Sequence, residues 1–155
     1  MTIHRPPEQL TIAADNGTRW IQVSFLAVAI LFNLCLVAQL ITVGLAVFTD
    51  ANWWQVHVWL VRGYGSLAIL LLSGTFISSF PKRIQALTRG IVILLLLQFA
   101  TAHIQQPLPL GVLHPLFGFT LFTTSTTLVH RAMSFVMGES EESKDISNSL
   151  EIYKF

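Results

Sequence analysis

Apolar residues gather in four long stretches separated by short polar connectors, and this pattern sets the expected architecture. The stretches run from about Trp20 to Phe48, Gln55 to Phe80, Ile84 to His103 and His114 to Phe135, the last ending between Arg131 and Met137. Each is long enough to carry a helix across roughly 30 Å of hydrocarbon, the first with tilt or an interfacial first turn. The connectors carry stop signals: Asp50-Ala51-Asn52 before the aromatic pair Trp53-Trp54, Pro81-Lys82-Arg83, and the proline-rich run Gln105 to Gly111. Short connectors favour antiparallel neighbours. The expected fold is an all-α integral membrane protein, a four-helix antiparallel bundle over residues 20–137. A polar N-terminal tail (1–19) with a turn at Asp15-Asn16-Gly17 precedes it, and an acidic tail (138–155) follows, in which Leu150 to Phe155 is a candidate docking segment.

Composition strengthens this reading. Of 155 residues, 53% are hydrophobic and only 11% charged, with a mean hydropathy of +0.64; soluble domains carry about 25% charged residues. Arg62 is the only Lys or Arg well inside an apolar stretch. The others fall on the N-tail, the second connector, the adjoining span ends or the C-tail, while the first and third connectors have none. The positive-inside rule then places both termini in the cytosol. The polar N-terminus is unlike a signal peptide, so the first stretch is expected to remain as an anchor. No basic stripe exists to follow nucleic-acid phosphates. Cys35, the single cysteine, allows no intrachain disulfide and reads as a small packing residue. Small residues (Gly44, Gly63, Gly65, Ser66, Ser73, Gly74 and Gly118) are expected to let helices approach closely. No internal repeat emerges, although both helix hairpins carry a histidine early in their second helix.

Those histidines are the only constellation that points to chemistry. His57 lies about one turn into the second span, and His114 precedes Pro115, which suits an N-cap at the start of the fourth. The inferred orientation puts both toward the non-cytosolic face. A helix N-terminus disfavours imidazolium, and neutral imidazole is the form that binds metal. One reading is a haem b held between the second and fourth spans by His57 and His114. Gly118, one turn below His114 on the same face, would leave room for the macrocycle. The other reading makes both histidines interfacial residues bonded to loop carbonyls or headgroups; another tetrapyrrole or a bare metal remains open as well. Arg62 is rotated by roughly 140° from His57, so it reaches a propionate or a lipid phosphate only by snorkelling. His103 is a candidate third ligand, proton relay or interfacial cap. Gln39, Gln98 and Tyr64 either bond between helices or line a cofactor or quinone cavity. His130 sits beside Arg131 at the opposite surface and cannot share a ligand set with His57; His4 carries no signal.

The runs Gln39 to Phe48, Trp53-Trp54-Gln55-Val56-His57, Pro81-Lys82-Arg83, Leu97-Gln98 and Leu113-His114-Pro115 resemble an uncharacterised family of small bacterial four-span membrane proteins over roughly residues 22–131. That resemblance implies the fold and a bacterial inner or internal membrane, and no activity. The histidines near the outer ends of the second and fourth spans are similar to those of one four-helix half of haem A synthase, which implies haem ligation by His57 and His114. This chain has only one such half and no acidic residue in any span, in contrast to the two halves and acidic catalytic residue of that enzyme. No catalytic set is visible. The functional expectations are therefore a cytochrome-like electron-transfer or haem-handling protein, or a non-catalytic accessory or assembly subunit of a larger membrane complex.

Overall fold

A computed structural model describes residues 7–104 and 110–152, with side chains from 17 to 104 and from 110 to 138. It holds four α-helices, α1 (Pro7–Phe48), α2 (Trp53–Ile77), α3 (Lys82–His103) and α4 (His114–Ile152), with a 3₁₀ turn over Leu110–Leu113 leading into α4. All four contain a segment long and apolar enough to cross a membrane: Gly17–Phe48, Trp53–Ile77, Lys82–His103 and Leu110–Gly138. The chain is a small all-α integral membrane protein. Around the bundle α1 packs on α2 and α4, and α3 on α4; the α2–α3 seam is the slightest. The diagonals are α1/α3 and α2/α4.

The seam that holds the helices together repeats every three or four residues. On α1 it runs through Gln22, Phe25, Ala29, Phe32, Leu36 and Gln39; on α2 through Tyr64, Ala68, Leu71 and Thr75; on α3 through Ile84, Thr88, Ile91 and Leu95; on α4 through Leu121, Ser125, Leu128 and Ala132. This is the 3.5-residue period of coiled-coil packing. Extended by one heptad toward the α1–α2 and α3–α4 loops, the seam reaches His57 from Tyr64, His114 from Leu121 and Gln98 from Ile91. The core therefore changes from apolar to polar along its own axis. At the opposite end, Phe80 closes it against Phe25 (ring centroids 4.4 Å apart) and Phe135 (5.9 Å).

Several expected boundaries move. The Asp15-Asn16-Gly17 turn is absorbed into α1, which is helical from the first described residue, Pro7. A residue of low propensity costs about 1 kcal/mol or less once a helix is propagating. For the same reason α4 continues through the acidic segment to Ile152; Glu and Lys are good helix formers. The second span ends at Ile77 rather than Phe80, with Ser78 extended (φ −122°, ψ 148°). Pro81 disfavours helical geometry in Phe80 before it, and it opens α3 by accepting the Ile84 N–H (2.9 Å). Trp53 and Trp54 belong to α2 itself. Close approach at small residues holds at only two glycines. A Cβ on Gly74 would lie 3.0 Å from the Phe25 ring and one on Gly118 would meet Gln98, whereas Gly44, Gly63 and Gly65 face open space. The expectations for His4, for residues 105–109 of the connector and for docking by Leu150 to Phe155 fall outside the residues or side chains described.

Candidate functional site

Where the core turns polar, a cavity of about 700 Å³ opens between the four helices. The residues singled out for a site line it: His57, Arg62 and Tyr64 from α2, Gln98 and His103 from α3, His114 and Gly118 from α4. Gln39, Leu36 and Val43 complete the α1 wall. Its size lies within the ~300–1,000 Å³ of small-molecule and cofactor pockets, and its mostly apolar wall with a few polar groups is typical of them.

The two histidines are held in the same way. Thr42 on α1 donates its hydroxyl to the Gln39 carbonyl (2.8 Å), and the hydroxyl oxygen lies 3.3 Å from His57 Nδ1; the Gln39 backbone also interacts with His57. Thr101 on α3 donates to the Leu97 carbonyl (2.8 Å), with the Gln98 carbonyl at 3.1 Å, and lies 3.4 Å from His114 Nδ1, which is itself 3.1 Å from the Gln98 carbonyl. In each case Nδ1 is the ring nitrogen engaged by the preceding helix. Each hairpin thus contains a Gln-x-x-Thr unit on its first helix and a histidine on its second. Both threonines are buried, at 5% and 4% exposure. This repeat went unread in the sequence. Its signal was there, in Gln39-Leu40-Ile41-Thr42 and Gln98-Phe99-Ala100-Thr101.

The hairpins differ one turn below each histidine, at Val61 and Gly118. The Gln98 amide enters beside Gly118, oriented so that its nitrogen donates to the His114 carbonyl (2.8 Å) and its oxygen accepts the Gly118 N–H (2.9 Å). It therefore bridges the first turn of α4. In this orientation the same nitrogen also points at His114 Nδ1 (3.0 Å), so that atom lies between an amide donor and the Gln98 carbonyl. A Cβ on Gly118 would fall 2.7 Å from the amide. The absent side chain thus makes room first for Gln98, which revises the expectation that it serves the macrocycle alone.

The remaining residues surround this pair. Tyr64 is buried, its ring edge-on to Phe32 (5.4 Å, 83°), and it bonds to the Gln39 side chain. Trp54 meets the His57 ring at 5.6 Å and 78°. Arg62 is exposed with its guanidinium over Trp59, 5.5 Å from the ring centroid. His103 is exposed, and its Nδ1 donates to the Phe99 carbonyl (2.8 Å), as a helix C-terminal cap does. Asn33 lies deeper and donates to Ser125 and Thr126 (3.2 and 3.0 Å), tying α1 to α4. Among the described residues no group of three or more His, Cys, Asp or Glu side chains is placed to hold a metal ion.

Against known proteins, the family model described as "Family of unknown function (DUF6220)" matches residues 39–104. The chain is similar to that family from Gln39 to the end of α3. The match takes in His57, Arg62, Tyr64, Gln98 and His103. It is narrower than the 22–131 read from sequence and leaves out Leu113-His114-Pro115. No curated protein and no solved structure matches the chain, so the likeness to haem A synthase gains no support from them.

Proposed function

We propose that the chain is a b-type, cytochrome-like electron-transfer or haem-handling protein, with both termini cytosolic and the cavity toward the non-cytosolic face. The observation that carries the reading is the matched pair of imidazoles, each engaged at Nδ1 by the preceding helix, on diagonally opposed helices and lining one apolar cavity. The donor set fits haem: two neutral nitrogens, no competing thiolate or carboxylate among the described lining residues, and space for a large apolar group. His57 and His114 would hold the iron through Nε2. Their Nδ1 contacts fix ring orientation, as outer-shell partners of metal-bound histidines do. Arg62 at the rim supplies positive charge for propionates, and Tyr64 and Gln39 supply polar groups beneath. A bound haem contributes reversible one-electron chemistry. The apolar walls keep water from it, and a quinone or a larger membrane complex is the partner class the bilayer setting supports.

The test is the absorption spectrum of protein purified after expression with excess haem precursor. A Soret band with reduced α and β bands is expected, lost or converted to a high-spin form in His57→Ala and in His114→Ala. No Soret band in the wild type, or an unchanged spectrum in both variants, would overturn the reading.

A further inference from the structure

At the opposite end of the bundle, a second cavity of about 500 Å³ opens on the outer face between α3 and α4. Its walls are two helical stripes. On α3 Arg83, Leu87, Gly90 and Leu94 follow one another at helical spacing; on α4 Thr124, Thr127 and Arg131 do the same. Both arginines are exposed at the end bearing the α2–α3 loop, and neither has an ion pair or hydrogen bond among the described residues. Among the residues whose side chains are described, 17–138, the only acid is Asp50, at the other end of the bundle. Below them the groove is apolar. The hydroxyls of Thr124 and Thr127 are turned back onto the Thr120 and Thr123 carbonyls (2.7 and 2.8 Å), and the Thr124 methyl lies 3.9 Å from where a Gly90 Cβ would stand. From Arg83 to Leu94 the groove extends about 16 Å along the helix, close to half of a ~30 Å hydrocarbon core.

We propose that this groove binds one anionic glycerophospholipid, with its phosphate between Arg83 and Arg131 and one acyl chain along the Gly90 floor. Charge decides the headgroup class: two guanidiniums pair with phosphate oxygens and repel the ammonium of a zwitterionic choline headgroup. Depth decides for a lipid over free phosphate, because the groove continues through one leaflet below the charges. Gly90 is the residue that keeps the floor open.

Native mass spectrometry of the full chain, given equimolar phosphatidylglycerol and phosphatidylcholine, reads the proposal. The wild type should retain the anionic lipid at least threefold over the zwitterionic one, and Arg83→Gln/Arg131→Gln should bring the ratio to about one. Lys82→Gln/Arg89→Gln removes equal charge at the same end outside the groove and should leave the preference intact. Gly90→Leu should reduce retention of both lipids, and inorganic phosphate should fail to displace the bound lipid. Preference surviving in the Arg83/Arg131 variant, equal loss in the Lys82/Arg89 control, undiminished retention in Gly90→Leu, displacement by phosphate, or no preference in the wild type would each overturn it.

Discussion

The hairpin α1–α2 and the hairpin α3–α4 solve one problem twice, with different local structure. Each places a buried threonine and a glutamine carbonyl against an imidazole Nδ1. In the first, the loop is short and His57 stands a turn inside α2; in the second, α3 ends sooner, a 3₁₀ turn intervenes and His114 opens α4. The glutamine amides then diverge. That of Gln98 bridges the α4 backbone at Gly118, whereas that of Gln39 turns to Tyr64. The contact that sets imidazole orientation is common to both, and the amide contact is not. The shared part is the one the proposed haem site would use, and the divergent part builds each helix start.

The comparison can be tested by paired substitutions. The largest effect belongs to the imidazoles: His57→Ala and His114→Ala should each abolish the low-spin haem spectrum. Retention of a full spectrum by either would make the hairpins unequal. Next, Gly118→Val drives a side chain into the Gln98 amide and should destabilise by about 1–3 kcal/mol. The reciprocal Val61→Gly should lose only about 1 kcal/mol, mostly helix propensity. Thermal unfolding in detergent gives both values, and equal losses would discount the amide bridge. Gln98→Leu and Gln39→Leu follow, each removing interhelical bonds worth about 0.6–2 kcal/mol, with the Gln98 variant the weaker protein. Smallest are Thr42→Val and Thr101→Val. They should leave the unfolding midpoint nearly unchanged and lower the haem midpoint potential's sensitivity to neither site alone: both should shift it in the same direction, and opposite shifts would break the equivalence.

The spans were legible because a bilayer demands unbroken apolar length, and the histidines because ionisable groups there are rare. The helix ends were less so. Pro81 moved the end of α2 through its effect on Phe80, and α1 and α4 ran on through residues that read as turn or tail. Thr42 and Thr101 were overlooked because threonine in an apolar helix ordinarily bonds its own backbone, as Thr88 does with Ile84 (2.9 Å). Only the packing shows that these two also meet an imidazole. The repeat was obscured by unequal spacing: fifteen residues from Thr42 to His57 and thirteen from Thr101 to His114, a difference absorbed by the loops. The role of Gly118 was read from its face alone, before the reach of Gln98 from α3 was visible.

Because each imidazole is secured by the helix just before it in the chain, a hairpin needs nothing from the other half to present its nitrogen. Two copies of one hairpin, associated side by side about an axis along the membrane normal, would reproduce every contact that fixes the pair.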